Sequence, residues 1–538
     1  MKKSIVAVIM LSVISVLTVS CGSKQASIES STDSSAIHMA WLYDMETLDV
    51  SQTTDNYMVP MNVFDRLFEI EKDENGEIKT VPSLCDEYSV SEDCLTYSFR
   101  LKDGIKFSNG DILSSEDVKY TFERLLTIDE CNSEIPYEVA GSEDFATGTA
   151  DSLSGFKITD DLSFSITLSE PNAGFISELT TPAMSIVNKK VSEAHPDWGQ
   201  NIEYLIGTGP YCLTEWKAQD HFTLEYNPNY RGNEPDVKKF VVDIIPDGSS
   251  QDLMFQSGEL DILCIPYINS ETFKKVYKEK YADQLVESGQ AAIYYMAMNE
   301  NNEFLSDVNV RKAIQKSIDM DAIINSVLDG QATPQHGIIP KGIWGYNDEL
   351  RTTVYDPEGA KKILADAGYA PGEIRFNLAW SEEDLSDNER LVHEIIQQNL
   401  KDAGIEVNMD SYDPAAWLDK RNAGELDSFI SAWFMDYNDP ANIMCTFFGS
   451  PELTAGRSLN YKDEEVMSRV AHASSIIDDD ERMAEYRALE TKIIKDDAAW
   501  VALYEPASTY AVSKRIKHLE PHWAGYIGTF YIKDILLK

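Results

Sequence analysis

The second half of the chain alternates between two spacings of hydrophobic residues. In three stretches the apolar side chains recur at positions i, i+3, i+4 and i+7, which is typical of a helix with one buried face. After the last of these stretches, residues 405–409 alternate apolar and polar side chains, as a half-buried strand does. Helices that alternate with strands predict an α/β fold. The helical stretches are 310–318, 356–368 and 391–403.

A stretch of thirty residues in the first half combines both spacings in one compact unit. It is marked by alternating apolar residues, by two turn dipeptides that contain glycine, and by a serine before an amphipathic run. Such a unit has a structural role and carries no chemistry of its own. In order, it contains the strand 97–101, the turn Asp103-Gly104, the strand 105–107, the turn Asn109-Gly110 and a helix capped by Ser114 or Ser115.

The tetrapeptide Gly-Glu-Leu-Asp occurs twice, at 258–261 and at 424–427, each time before an apolar strand. Chance is one explanation. The other is that two lobes of similar build each direct a helix, a turn and a strand toward a shared cleft. Ligands of open α/β sheets bind beyond the carboxyl ends of strands, and Asp436 lies there, beyond the strand that follows the second copy.

The segment Phe429–Pro440 contains the candidate binding residue. It begins as an apolar strand and ends in the turn Asn438-Asp439-Pro440, because proline restricts the residue before it to extended geometry. Asp436 lies among large apolar side chains, where ionisation is costly unless a cation or a hydrogen-bond donor arrives. Such a carboxylate can receive an ammonium group or accept N–H bonds within its own turn, and the pattern leaves both possibilities open.

The composition narrows the class of protein. At 538 residues, 43% of them hydrophobic, the chain is long enough for about three folded domains and is not a disordered acidic polymer. Its 91 acidic and 46 basic residues give a formal charge of −45, which repels phosphate backbones and argues against a nucleic-acid partner. An acidic surface also keeps exported proteins soluble, so the charge does not identify the ligand.

The N-terminus has the features of an export signal. Lys2 and Lys3 precede the apolar stretch Ile5–Val19, which is too short for a stable membrane span. The following Ser-Cys-Gly resembles a bacterial lipobox, in which Cys21 is lipidated, although Thr18 stands where leucine is usual. We therefore expect a signal peptide at 1–20 and a serine-rich, lipid-anchored tether at 21–37, with plain secretion as the alternative.

No catalytic, metal or cofactor site is expected. The six cysteines beyond the signal lack metal-ligand spacing, and Cys85 and Cys94 either form a disulfide or remain buried thiols. His518 and His522 are four residues apart, but Pro521 breaks the helix that a zinc protease needs. The chain has no nucleophile elbow, P-loop or dinucleotide fingerprint.

The motifs together resemble the family 5 extracellular solute-binding proteins, the dipeptide, oligopeptide and nickel receptors of ABC importers. The unit of strands, turns and helix described above is similar to the family's signature, and further motifs follow in the family's order. The resemblance covers the chain from about Trp41 to its C-terminus. The further motifs are Gly207–Tyr211 with Trp216, Asn227–Tyr230, Ser257–Ile262, Arg311–Ile314 and Tyr355–Tyr369.

The resemblance implies an α/β, two-lobed periplasmic-binding-protein-like fold of type II. An extra subdomain belongs to the first lobe, and hinge strands join the two lobes. Val501–Pro506 is expected to return the chain from the second lobe to the first as a hinge segment. The implied boundaries are 38–290 with 505–538 for lobe I, about 62–205 for its subdomain, and 291–504 for lobe II.

The resemblance also implies a peptide ligand. In the oligopeptide receptors, the aspartate that matches Asp436 pairs with the α-amino group of the peptide. Trp433 is then expected to form the wall of a side-chain pocket, and Tyr437 and Asn438 to supply further contacts. Tyr504 is expected to offer a hydroxyl group from the hinge segment.

One position departs from the family. Ile430 stands where some oligopeptide receptors carry a basic residue, and we place no arginine against the carboxylate of the peptide. This allows longer peptides, whose backbone pairs with the lobes as an added strand.

The expected protein is therefore a monomeric, extracytoplasmic lipoprotein on the bacterial cell membrane, at the cell surface or in the periplasm. It delivers peptides to the permease and ATPase subunits of an ABC transporter by hinge closure. The alternatives are a receptor for nickel, a metal chelate or another solute, and a surface peptide sensor without a transport role.

Overall fold

The structure, a computed structural model, describes the chain from residue 35 onward with five short gaps. The signal peptide, Cys21 and all but the last three residues of the predicted tether lie outside the described residues. In the part that is described, no helix is both long and apolar enough to cross a membrane. The described ranges are 35–53, 57–72, 78–129, 131–351, 354–382 and 386–538.

Strands and helices alternate along the described chain, so the predicted mixed α/β architecture is confirmed. The strands are β1 Ile37–Trp41, β2 Phe68–Lys72, β3 Ile78–Pro82, β4 Cys85–Val90, β5 Thr96–Leu101, β6 Phe156–Asp160, β7 Ser163–Thr167, β8 Tyr211–Lys217, β9 His221–Tyr226, β10 Lys239–Ile244, β11 Ile262–Cys264, β12 Leu285–Gly289, β13 Ala292–Met298, β14 Ala332–Pro334, β15 Arg375–Ser381, β16 Glu406–Tyr412, β17 Ser428–Phe434, β18 Trp500–Val512, β19 Ile516–His518 and β20 Leu536–Leu537. The α-helices are α1 Met58–Val63, α2 Ser115–Leu125, α3 Ser142–Ala146, α4 Phe175–Glu178, α5 Lys189–Ala194, α6 Gly248–Ser257, α7 Ser270–Thr272, α8 Lys278–Lys280, α9 Val308–Ser317, α10 Met320–Ser326, α11 Pro357–Asp366, α12 Asp387–Asp402, α13 Pro414–Asn422, α14 Ala441–Phe448, α15 Pro451–Ala455, α16 Glu464–Ala473 and α17 Asp479–Thr491.

A twelve-stranded sheet with β18 near its centre organises the described chain. The strand order is β16-β15-β17-β13-β18-β11-β1-β10-β9-β8, and β12 and β14 also pair with β18. The first residues of β18 pair with β13 and β14, whereas its residues 507–512 pair with β11 and β12. Strand β18 therefore joins two halves of the sheet, and the role of Val501–Pro506 as a hinge segment between lobes stays a prediction.

The half of this sheet that contains β13 has a separate hydrophobic core on each of its two faces. Along β13, Tyr295 and Ala297 belong to the core that α14, α16 and α17 cover, whereas Met296 and Met298 belong to the core beneath α9 to α12. Successive side chains of a strand point to opposite faces, so a strand buried on both faces is apolar throughout.

A separate four-stranded sheet in the order β4-β5-β7-β6 packs with α2 around a further core. It lies within the range predicted for the extra subdomain. The predicted strand at 105–107 is wrong, because only a single bridge between Lys106 and Ile112 forms there. The predicted helix is correct, and Ser114 and Asp117 cap it reciprocally.

The two Gly-Glu-Leu-Asp copies have the same local structure. Gly258 and Gly424 have φ angles of 85° and 73°, which glycine adopts at low cost, and they follow α6 and α13 respectively. The next strands are β11 and β17. Asp261 accepts a bond from the backbone N–H of His38, and Asp427 accepts one from Asn377 N–H. The prediction of two helix–turn–strand units is therefore confirmed.

The cysteines of the described residues are free thiols, and these include Cys85 and Cys94. Burial raises the pKa of the Cys85 thiol to about 11, which keeps it protonated at neutral pH. Of the two possibilities that the sequence left open, the structure contains the buried thiols.

Candidate functional site

Asp436 and Trp433 are held together by one side-chain amide. Strand β17 ends at Phe434, and Asn442 comes from the first turn of α14. Asn442 Nδ2 donates to Asp436 Oδ2 over 2.9 Å, while Asn442 Oδ1 accepts a bond from Trp433 Nε1 over 2.9 Å. The backbone N–H of Asp436 also points to Asn442 Oδ1, over 3.3 Å. The sequence analysis did not single out Asn442, because asparagine after a turn is common.

Asp436 is an exposed residue, although many protein groups surround its carboxylate. Burial raises its pKa, and the bond from Asn442 lowers the pKa only in part. Within the described chain, the carboxylate accepts no bond from its own turn. Tyr526 lies near it: burial raises the pKa of Tyr526, and the charge of Asp436 raises it further. Asp436 is thus a poorly neutralised negative charge at the end of a strand.

Two arginines pack on tryptophan rings in this region, and one of the rings is that of Trp433. Arg457 Cζ is 5.0 Å from the centroid of the Trp433 ring, and Arg421 Cζ is 5.5 Å from that of Trp417. Burial lowers the pKa of both arginines, and the charge of Arg457 lowers that of Arg421 further. Among the residues that the structure describes, no carboxylate lies within ion-pair distance of either one. The sequence carried no signal for Arg457, which lies in a loop outside every recognised motif.

Tyr437 and Asn438 have other partners than Asp436. Burial raises the pKa of Tyr437, and the acidic groups of Glu178 and Asp439 raise it further. Asn438 Oδ1 accepts the backbone N–H of Trp344 over 2.8 Å, and its Nδ2 donates to a carbonyl oxygen of β3 over 2.9 Å. Both polar groups of the Asn438 side chain are thus engaged within the protein. That these residues contact a ligand stays a prediction.

Tyr504 lines a cavity of about 180 Å³. Its ring stacks on that of Tyr294, with 4.5 Å between the centroids, and the hydroxyl group of Tyr294 donates to Glu389 Oε1 over 3.2 Å. Residues 430–432 of β17 form one side of the space. We call this space the Tyr504 cavity, and its main walls are Tyr294, Trp380, Glu389, His393, Trp417 and Tyr504.

An open strand edge lies between Asp436 and the Tyr504 cavity. Strand β15 pairs with β17 only at Ser428 and Phe429, while β13 pairs with β17 along its whole length. In the described structure, residues 430–434 therefore have no strand partner on the side that faces β15. An unpaired edge presents a row of N–H and C=O groups to an incoming chain.

The described residues contain no group of three or more potential metal ligands. Of the histidine pair in the sequence analysis, His522 is part of the packed interior. His522 is buried and stacks on Tyr526, and burial lowers its pKa to about 3. The ring is therefore neutral, as expected for a packed core histidine.

Known proteins resemble the chain over most of its length. The family profile "Bacterial extracellular solute-binding proteins, family 5 Middle" matches residues 79–454. The probable D,D-dipeptide-binding periplasmic protein of Escherichia coli is 29% identical over 483 residues, which cover 88% of this chain and 89% of that protein. Heme-binding protein A of Haemophilus influenzae is 26% identical over 484 residues, which cover 87% and 86%.

Solved structures share the fold. The crystal structure of NikA from Brucella suis in complex with Fe(III)-EDTA superimposes with a TM-score of 0.80, covering 94% of this chain and 100% of that one. The two sequences are 21% identical. At that level of identity, the similarity establishes the architecture and not the ligand.

Proposed function

Because the chain belongs to the bacterial extracellular solute-binding proteins of family 5, we propose that it captures peptides between the two lobes of its fold. That fold is the type II fold of periplasmic binding proteins, with an extra subdomain. The family consists of receptors, so the residues described above serve binding. Support for a peptide comes from the names of relatives, among them the D,D-dipeptide-binding protein of Escherichia coli.

The observation that carries the proposal is the poorly neutralised carboxylate of Asp436. The α-amino group of a peptide has a pKa of about 7.7–8.0 and is mostly charged at neutral pH. A charge-assisted hydrogen bond to it contributes about 1.5–3 kcal/mol, or one to two decades of affinity. Asn442 holds the carboxylate toward the amine, and Trp433 forms a wall beside it.

The open edge of β17 accepts the peptide backbone. A peptide that starts at Asp436 and runs along residues 430–434 adds a strand to the sheet, so main-chain bonds hold it whatever its sequence. Arg457, beside Trp433, takes the negative group of the ligand. The sequence analysis placed no arginine against the carboxylate of the peptide, and we assign that role to Arg457.

The lobe boundaries are consistent with the pairing of β18. Lobe I comprises 38–290 and 505–538, and lobe II comprises 291–504. The chain crosses between the proposed lobes twice, once from β12 to β13 and once along β18. These two crossings are adjacent and form the proposed hinge. A ligand that binds the closed form more tightly than the open form shifts the protein toward closure. The closed form then delivers the peptide to the permease and ATPase subunits of an ABC transporter.

The protein works outside the cytoplasm as a monomer, held to the bacterial membrane by a lipid on Cys21. The sequence left two alternatives. A nickel or chelate receptor shares the fold, as NikA illustrates, but Asp436 repels an acidic chelator. A sensor without transport would bind the same peptides, and a test for permease binding by the loaded protein separates the two.

Native mass spectrometry of the purified protein tests the ligand class. We expect co-purified or added tripeptides to bind at one per chain, and Ni²⁺-EDTA to bind at least a hundredfold more weakly. Retention of the chelate with no binding of any peptide would overturn the proposal.

Extraction with a detergent, followed by mass analysis of the N-terminal fragment, tests the lipid on Cys21.

A further inference from the structure

The Tyr504 cavity has the size of one side chain. A cavity of roughly 150 Å³ holds a benzene molecule, so a space of about 180 Å³ takes six or seven non-hydrogen atoms. It opens beside residues 430–432 of β17, on the strand edge that lacks a partner. The cavity is thus placed to receive a side chain from a peptide on that edge.

Three polar atoms in the walls of this cavity are buried and have no hydrogen-bond partner among the described residues. They are His393 Nε2, Ser381 Oγ and Trp417 Nε1. Leaving such groups unpaired costs free energy, so a guest that pairs with them is favoured over an apolar one. Three unpartnered atoms around one space therefore indicate a polar guest.

The His393 ring contributes an acceptor that no described residue pairs with. Its Nδ1 lies 2.8 Å from the backbone carbonyl oxygen of Glu389, and a carbonyl only accepts, so Nδ1 carries the hydrogen atom. Nε2 is then an acceptor on a ring that lines the cavity, and it has no partner among the described residues. Burial lowers the pKa of His393, so the ring stays neutral.

Glu389 is the charged residue of the cavity wall. Its carboxylate accepts bonds from the Tyr294 hydroxyl group and from the N-cap residue Ser386, and within the described chain no cation lies within ion-pair distance. The neighbouring Arg390 is exposed and packs on the Trp380 ring, with its Cζ 5.6 Å from the centroid. The wall is thus negative and rich in aromatic faces, which attract cations.

We propose that the Tyr504 cavity is a subsite for a lysine or arginine side chain of the ligand. The ammonium or guanidinium group donates to Glu389, and the aliphatic stem lies between the rings of Tyr294, Tyr504 and Trp417. An acidic side chain is disfavoured because it meets the carboxylate of Glu389. The inference rests on the proposed function, since the side chain must belong to a peptide on the open edge.

A tripeptide scan tests the inference by calorimetry. Each position of Ala-Ala-Ala is replaced in turn by lysine, arginine, norleucine or glutamate. At one position we expect lysine or arginine to bind at least tenfold more tightly than norleucine, and glutamate to bind most weakly. Equal affinity for lysine and norleucine at every position would overturn the subsite while leaving peptide binding intact. If no tripeptide bound at all, the proposed function would fail with it.

A matched pair of variants assigns the preference to the cavity. Glu389→Gln keeps the size of the side chain and is expected to reduce the lysine-over-norleucine preference to threefold or less. Glu394→Gln, exposed on the same helix, is expected to keep the full preference. An unchanged preference in a folded Glu389→Gln protein would overturn the assignment. If that variant does not fold, the scan on the unaltered protein still decides.

Discussion

Asn442 Nδ2 lies 2.9 Å from Asp436 Oδ2. An amide on the first turn of α14 therefore orients the carboxylate of Asp436, which follows the end of β17. The same amide uses its oxygen to accept from Trp433 Nε1 and from the backbone N–H of Asp436. One side chain thus sets the positions of the negative charge and of the aromatic wall. In the proposed binding mode, Asn442 is a positioning residue for the amine of the ligand.

Removing this amide should weaken binding without removing the charge. For Asn442→Ala we expect peptides with a free amino terminus to bind about tenfold more weakly, because the carboxylate loses its only described donor. N-acetylated peptides should change little. Titration calorimetry measures the affinity for both kinds of peptide. The control is Asn325→Ala, an exposed position on α10. Equal losses for free and acetylated peptides would show that Asn442 acts elsewhere.

Asp436→Asn separates charge from shape. Peptides with free amino termini should bind at least tenfold more weakly, and acetylated peptides should be spared. Because Asp436 is exposed, the exchange should leave the melting temperature of the empty protein nearly unchanged. Equal losses for free and acetylated peptides, or unchanged binding of both, would contradict the amine role.

Arg457→Gln should act on the other end of the ligand. We expect peptides with a free carboxylate to bind about tenfold more weakly and C-terminally amidated peptides to bind as before. The glutamine keeps much of the packing on Trp433 and removes the charge. The comparison of free-acid and amide peptides on the variant and the unaltered protein is the measurement. A similar loss for amidated peptides would place the ligand's negative group away from Arg457.

Asn438 joins the turn after β17 to two other segments, so its loss should lower stability. Asn438→Ala leaves the Trp344 N–H and the Ile78 carbonyl group without their partner, at a cost of about 1–3 kcal/mol. Urea unfolding measures the change, again against Asn325→Ala. Small-angle scattering of the liganded protein should show a larger radius of gyration, because the bond to Ile78 spans the two proposed lobes. An unchanged unfolding midpoint would contradict this prediction.

Glu490 should make stability depend on pH. Burial raises its pKa to about 7, although its carboxylate accepts the N–H groups of Ile338 and Ile339. The folded protein therefore holds this proton more tightly than the unfolded chain does. The resulting stability is full below about pH 4.5 and is lost as pH rises through about 7, on the order of 3 kcal/mol.

The variant Glu490→Gln isolates this effect from the many other acids. It should match the unaltered protein at pH 4 and be more stable than it at pH 8. Thermal melting at pH 4, 6 and 8 provides the comparison, with Glu394→Gln as the control. Curves for Glu490→Gln and the unaltered protein that stay parallel across this range would show that Glu490 does not titrate there.

Local signals predicted local structure correctly. Asp356 caps α11 and Pro357 is its first residue, and Ser114 caps α2, because a cap depends on residues three or four positions away. The strand predicted at 105–107 was wrong for the converse reason. Two alternating apolar residues form a strand only when a neighbouring strand pairs with them. At 105–107 only the bridge between Lys106 and Ile112 forms.

The sequence alone determined the α/β architecture, the family, and the candidate pair Asp436 and Trp433, since each depends on periodicity or on a contiguous motif. The tertiary structure decided which groups surround them. Arg457 faces Trp433 from a loop without a motif, and Glu389, His393 and Tyr504 meet across more than a hundred residues of chain. Convergence of distant side chains depends on how strands and helices pack, and no spacing along the chain records it.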